Sequence, residues 1–272
     1  MAIKIGTDAT SLETNRNLVK AQDDVAKNLN RLSSGYRIND AADDAAGLAI
    51  AAQLATQVQG DNTAQQNIAD GLSLAQTADG GLSSVNASLQ QLRTLAVEGA
   101  NETLSASDRA DLNAQFQQIT AGIDQVASTT SENGQNLLDQ NGNTISVQSG
   151  ANPNDQIAFT LNSASAANLG ISSLNLNDAS SAQNALSAID GALSTIDAQR
   201  ADVGAAANRL SAQSDTLAIS AENQAAAQSH IQDLDVAQAT SQLALEQIRT
   251  QASIAVQAQS NHAHRIPLDL LK

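Results

Sequence analysis

Only two of the chain's 272 residues are proline, at 153 and 267, so residues 1–152 and 154–266 carry no ring that would break a helix. Within those spans the apolar spacing is helical. Leu18, Val25, Leu29 and Leu32 stand on alternating three- and four-residue steps, with Gln22 in the missing place. The pattern recurs at Leu82, Val85, Leu89, Leu92 and Ala96, and again at Leu112, Phe116, Ile119, Ile123 and Val126. The longest run passes through Leu186, Ile189, Leu193, Ile196, Arg200, Val203, Ala207 and Leu210. A fifth has Ile231, Leu234, Leu245 and Ile248, with the polar Gln238 and Ser241 between them. These are heptad a and d positions, which lay a narrow apolar stripe along each helix. A stripe that narrow is covered by another helix.

Side-chain volume agrees. Tyr36, Phe116 and Phe159 are the only aromatics. A thick globular core draws on aromatic and Met volume and is not expected here. Abundant Ala favours helix and lets neighbouring helices approach closely. The expected fold is mainly α: an elongated helical bundle or coiled coil, with its terminal helices paired.

Turn chemistry sets the boundaries. Ser33-Ser34-Gly35 interrupts the first stripe, and a second helix is expected to start near Asn39 or Asp40 and to end near Gly99. Glycines at 47, 60, 71, 80 and 81 permit local bends in it. Ser105 or Ser107, followed by Asp108, caps a third helix running to about Ala127. From Thr129 to Asn177 the chain changes character, with Asn133-Gly134, Asn141-Gly142, Gly150, Pro153 and Gly170. Thr144–Val147 and Ile157–Leu161 alternate polar and apolar, and the Gly150–Asp155 turn would join them as a β-hairpin. A lone hairpin is barely stable in water, so it should lie on the bundle. Asp178 or Ser180 caps the returning helix. The polar helical ends have little to bury alone and are expected to order only when paired with each other and with other copies.

Several function classes fall away. A net charge of −15 opposes binding to nucleic acid or an anionic membrane surface. No apolar run approaches the roughly 18 residues of a membrane span. The first fifteen residues lack the apolar stretch and cleavage site of a secretory signal, and the absence of cysteine excludes disulfides and thiolate metal sites. The histidines, His230, His262 and His264, form no His-Glu-x-x-His pattern. The acidic Asn39–Asp44 cluster beside Gly35 and Arg37 lacks the alternating ligands and closing Glu of a calcium loop. It is read as helix capping. No cofactor, metal or catalytic group is expected.

The segment from Leu32 through Ser33-Ser34-Gly35-Tyr36-Arg37-Ile38-Asn39-Asp40 to Ile50 resembles the N-terminal signature of bacterial flagellin almost throughout. Asp70-Gly71 through Thr77, Leu89–Val97, Leu186–Leu210 and Ile231–Val256 also fit that family, so the resemblance covers nearly all of the chain outside the central insert. It implies a hairpin-shaped subunit of the bacterial flagellum filament, short because the surface domains of larger flagellins are missing. The implied divisions are an inner-core helix at 1–40, an outer-tube part at 41–177 with its β-region at about 129–177, a returning outer-tube part at 178–225, and an inner-core helix at 226–272.

The same resemblance implies polymerisation into a homopolymer for swimming motility, unfolded export by the flagellar type III apparatus, and an extracellular location. It also implies a secretion chaperone on the C-terminal helix, a filament cap, and hook–filament junction proteins as partners. The alternatives are a junction protein of the same architecture and a glycan-binding surface protein, although Phe159 alone would make a poor sugar platform.

The residues implied are three sets. Leu89, Gln90, Gln91, Leu92, Arg93, Thr94, Leu95, Ala96 and Val97 match the segment that packs between subunits and binds an innate immune receptor of animals. Here Gln91 and Thr94 replace the Arg and Glu of the receptor-activating form, so reduced agonism is expected. Leu18, Val25, Leu29, Leu32, Ile231, Leu234, Leu245 and Ile248 would form the inner coiled coil. Leu186, Ile189, Leu193, Ile196, Val203 and Leu210 would form the outer-tube stripe. Ser163, Ser165, Ser172 and Ser173 are candidates for O-glycosylation. Leu268, Leu270 and Leu271 keep the family's apolar end, and Pro267 is expected to stop the last helix.

Overall fold

The computed structural model describes residues 9–269. Among them the chain folds into five helices and four short strands: α1 (Ala9–Ser34), α2 (Ala45–Gly99), α3 (Ala106–Thr129), β1 (Ser131–Glu132), β2 (Gln135–Asn136), β3 (Asn143–Gln148), β4 (Gln156–Leu161), α4 (Ala179–Gln232) and α5 (Val236–Asp269). The fold is mainly helical, as expected. It divides into two compact units, one from Met1–Thr56 with Asn223–Lys272 and the other from Gln57–Glu222.

In the unit built from the chain's ends, α1 and α5 run antiparallel. The least exposed positions on α1 are Ser11, Thr14, Leu18, Ala21, Val25, Asn28 and Leu32, with Arg31 at their side. On α5 they are Ala239, Leu243, Glu246, Thr250, Ser253, Gln257 and Ser260. Both rows keep the three-four spacing of a heptad seam. Leu18, Val25 and Leu32 lie on this seam. Leu29 does not, because the seam takes its neighbour Asn28; nor does Gln22, where it takes Ala21.

The larger correction is on α5. Leu245 and Ile248 are 59% and 62% exposed, on the opposite side from the seam. Their expected row ran on from Ile231 and Leu234 as though one helix continued. Instead α4 ends at Gln232, and Asp235 caps a new helix by accepting bonds from the Ala237 and Gln238 amides at 3.0 and 3.1 Å. The break resets the heptad phase. Ile231 and Leu234 themselves are half-buried at that junction.

Two interruptions meet here. Gly35 takes the left-handed conformation at φ 77°, ending α1. The Arg37 amide then donates to Gln232 O at 2.7 Å, and the Leu234 amide donates to Gly35 O at 2.9 Å. The second helix starts at Ala45, later than the expected Asn39 or Asp40. Residues 40–43 form a turn closed by the Asp43 amide on Asp40 O at 2.9 Å, and Asp44 caps the helix by accepting from the Gly47 amide at 2.9 Å. The helix backbone of α5 runs through Pro267 to Asp269. Proline in a last turn forfeits one bond with little helix left to disrupt, so it does not end the helix. Leu270 and Leu271 lie outside the described residues, as do the side chains of His264 and Leu268.

The second unit holds the large buried cluster. On α2 every buried position from Ala64 to Gly99 falls on one unbroken alternation of three and four: Ala64, Ile68, Gly71, Ala75, Ala78, Leu82, Val85, Leu89, Leu92, Ala96 and Gly99, joined only by Gly81 and Asn86 on its flank. On α4 the row is Ala182, Ala185, Ile189, Ala192, Ile196, Gln199, Val203, Ala206, Leu210 and Leu217. Ile189, Ile196, Val203 and Leu210 are thus central. Leu186 and Leu193 flank the row, partly buried, because Ala185 and Ala192 take the inward places. α3 adds Leu112, Phe116 and Ile123 and begins at a capping box, in which Ser105 Oγ accepts from the Asp108 amide and Asp108 from the Ser105 amide.

The β3–β4 hairpin pairs Ile145 with Phe159 and Val147 with Ile157, and Val147, Ile157, Phe159 and Leu161 turn into the cluster. A smaller hairpin, β1–β2, turns at Asn133-Gly134, both with positive φ. The helical assignment of α2 runs unbroken through its glycines. Gly71 admits Val147 and Gly81 admits Leu138 and Thr130, each so closely that an added Cβ would lie 2.7 Å from them. Ser163 is buried, with its hydroxyl bonded to Ser165, and is unsuited to modification in the folded chain; Ser172 and Ser173 are exposed.

Candidate functional site

The Leu89–Val97 segment lies on α2 with two distinct faces. Leu89, Leu92 and Ala96 are fully buried and Leu95 half so, which the 3.6-residue period requires of positions three and four apart. Gln90, Gln91, Arg93, Thr94 and Val97 face outward, and Val97 is 53% exposed.

Polar ties flank this face. Arg93 Nε donates to Asp190 Oδ1 at 2.7 Å, and that hydrogen bond, with the Asp190 charge, raises the guanidinium pKa. Gln90 Nε2 donates to Asn86 Oδ1 at 2.6 Å, and Asn86 Nδ2 donates to Asp197 Oδ1 at 2.8 Å. Lower on α2, Asp79 accepts from Arg200 Nε at 2.9 Å and raises its pKa in the same way. These pairs stand along the α2–α4 line in antiparallel order, Arg93 with Asp190, Asn86 with Asp197 and Asp79 with Arg200. Apolar spacing gave no sign of them.

The second surface is on the paired ends. Inside, the seam is largely polar. Asn28 Nδ2 donates to Glu246 Oε2 at 2.5 Å, Thr14 Oγ1 to Gln257 Oε1 at 2.5 Å, and Gln257 Nε2 to Ser11 Oγ at 3.2 Å. Outside, large apolar side chains are exposed: Leu12, Val19 and Leu29 on α1, and Val236, Leu245, Ile248, Ile254 and Val256 on α5. Tyr36 and Ile50 are exposed in the same unit, whereas the second unit exposes only Val97 and Ile219 among its described large hydrophobics. Both helices therefore carry large apolar side chains that their mutual pairing leaves uncovered, with Leu245, Ile248 and Val256 on one side of α5. Exposed apolar side chains grouped on one face mark contact surfaces.

The acidic cluster after α1 has structural work to do. Asp43 accepts from Lys27, Arg31 and the Asn39 amide, Asp44 caps α2, and Arg37 Nη2 donates to Ile231 O. Among the described residues no group of three or more His, Asp or Glu side chains is arranged to hold a metal ion. Phe159 faces the core and offers no stacking surface.

Residues 5–143 match the family model described as bacterial flagellin N-terminal helical region, and residues 186–271 match the one described as bacterial flagellin C-terminal helical region. The chain belongs to the bacterial flagellin family. It is 38% identical over 270 residues to a flagellin of Halalkalibacterium halodurans, covering 98% of this chain and 99% of that one. To the B-type flagellin of Pseudomonas aeruginosa it is 42% identical over 170 residues, 62% of this chain but 35% of that protein. The chain thus spans about the whole of one flagellin relative and about a third of the other. The crystal structure of Bacillus cereus flagellin superposes with a TM-score of 0.50 at 30% identity, covering 56% of this chain and 88% of that one. As a flagellin, the chain is a structural subunit of the bacterial flagellar filament.

Proposed function

We propose that the exposed apolar rows of α1 and α5 are the surfaces through which copies of this flagellin pack in the filament wall. The supporting observation is the mixed polarity of the terminal pair: Ser11, Thr14, Asn28, Glu246 and Gln257 share the inward row with Leu18, Val25, Leu32 and Leu243, while Leu12, Val19, Leu245, Ile248 and Val256 face out. A helix pair so arranged gains little from closing on itself. It gains about 25 cal/mol for each Å² of apolar surface that a neighbour covers. Residues 1–40 and 226–272 then form the inner core of the wall, and 41–177 with 178–225 the outer tube. The outward face of Gln91, Thr94 and Val97 is a second subunit contact.

On this reading the chain is secreted unfolded through the flagellar type III apparatus, with a chaperone on the C-terminal helix, and polymerises beneath a filament cap beyond the hook–filament junction proteins. It performs no catalysis. Its monomer is a weak ligand of the innate immune receptor, because Gln91 and Thr94 depart from the activating pattern.

The experiment is seeded polymerisation followed by electron microscopy. The parent chain should extend filament fragments into long tubes. A Leu245→Asp/Ile248→Asp variant should stay soluble while the Gln57–Glu222 unit unfolds at an unchanged urea midpoint. A parent that stays monomeric would overturn the assembly reading in favour of a junction role, and a double variant that still elongates would remove these rows from the contact.

A further inference from the structure

Beyond the backbone bonds that join Gly35 and Arg37 to Leu234 and Gln232 at its mouth, the seam between α1 and α5 contains little to fix its own register. Leu18, Val25, Leu32 and Leu243 supply its large apolar volume, and most of the other positions are small, such as Ala21, Ala239 and Ser253. A coil of interchangeable small residues slides by a heptad at little cost. Two positions are not interchangeable. Asn28 and Glu246 are 8% and 7% exposed, and the amide of one donates to the carboxylate of the other at 2.5 Å across the seam.

We propose that the Asn28–Glu246 pair is the key that sets the register in which the two terminal helices of one chain meet. A slip of one heptad one way places Asn28 against Ala239 and Glu246 against Ala21. The opposite slip places Asn28 against Ser253 and carries Glu246 past the end of α1 to the level of Gly35. Either slip parts the pair, and the first leaves a buried carboxylate facing a methyl group, which costs more than the hydrogen bond contributes. The Thr14–Gln257 contact, with Ser11, meets the same register farther along the coil. A polar pair at a seam position lowers stability relative to an apolar one while excluding competing alignments. This inference requires only that α1 and α5 pair and is independent of how copies assemble.

The chain contains no cysteine, so introduced pairs report without background. Ala21→Cys with Ser253→Cys faces across the seam in the observed register, and Ala21→Cys with Ser260→Cys faces only after a one-heptad slip. Both are oxidised in the soluble chain and in filaments grown on seeds, and intrachain links are mapped by peptide mass. With the key intact, the first pair should link at least about tenfold more than the second. Asn28→Leu/Glu246→Leu should bring the two yields together, whereas Glu246→Gln, which keeps an acceptor for Asn28, should retain the preference.

If the leucine variant loses helicity, Asn28→Ser/Glu246→Ser makes the position like the rest of the seam and gives the same reading. A tenfold preference that survives removal of the key overturns the proposal. So does a parent that links at both positions equally or at neither. Seeded growth is scored on the same samples: lost filaments with the register preference kept would count against the assembly reading alone.

Discussion

Lys27 Nζ lies 2.6 Å from Asp43 Oδ1, joining α1 to the turn before α2, and Arg31 reaches the same oxygen at 3.0 Å. The Lys27 hydrogen bond, helped by the Asn39 amide and the Arg31 charge and opposed by burial, lowers the Asp43 carboxyl pKa from 3.8 to about 2. The folded-state value is below the unfolded one. The stabilisation is therefore fully present above about pH 4 and is lost as pH falls toward 2. Asp43→Asn should cost about 1 kcal/mol at pH 7, a figure kept small because Lys27 is half exposed. The variant should also flatten the acid dependence in that window. Urea unfolding at pH 7 and pH 3, followed by a probe in α1, measures both.

Gly71 and Gly80 sit in one helix and should respond oppositely to alanine. A Cβ at Gly71 would lie 2.7 Å from Val147 Cγ2, whereas nothing lies within 4 Å of one at Gly80. Gly80→Ala should stabilise the Gln57–Glu222 unit by up to about 1 kcal/mol through helix propensity. At Gly71 the strain of about 1–3 kcal/mol should outweigh that gain, leaving a net loss. Denaturant midpoints of the two variants test the difference in sign.

Phe116 is fully buried in the same unit, where it is the largest enclosed side chain. Phe116→Ala should cost about 3–5 kcal/mol. Leu245→Ala, on an exposed face, should change monomer stability by less than about 0.5 kcal/mol. Chemical denaturation of each variant decides between them.

Gln91 and Thr94 are exposed in the folded chain. Gln91→Arg with Thr94→Glu should raise monomer signalling in an innate-receptor reporter assay while leaving the unfolding midpoint in place. Full potency of the parent chain would show that these two departures do not weaken recognition.

The helical stripes were legible where large side chains occupy both halves of a heptad, as at Leu82, Val85, Leu89 and Leu92. On α1, Leu18, Val25 and Leu32 stand in the least exposed row and Leu29 gives way to Asn28; on α4, Leu186 and Leu193 give way to Ala185 and Ala192. The cause is common to all three. Where helices approach closely, the small or polar residue takes the inward place, and the leucine beside it lies on the flank at 186 and 193 or faces out at 29, so ranking by hydrophobicity selects the neighbour. On α5 the error was of phase, because the Asp233–Asp235 break restarts the count. Asp235 as a cap was the available signal. The β3–β4 hairpin followed from alternation and its turn, but β1–β2 was missed although Asn133-Gly134 is a strong hairpin turn. Its strands are too short to show a period. The Asn28–Glu246 and Arg93–Asp190 contacts join residues distant in sequence, and spacing along one chain carries no record of them.

From Ala64 to Gly99 the buried row of α2 never loses count. One inserted residue would turn everything after it by about 100° and send leucines into solvent. Growth or shrinkage of that helix by whole heptads keeps the row in line, whereas single-residue changes do not. A lineage remodelling the outside of this protein would do so in its exposed turns and inherit the long helices as parts of fixed gauge.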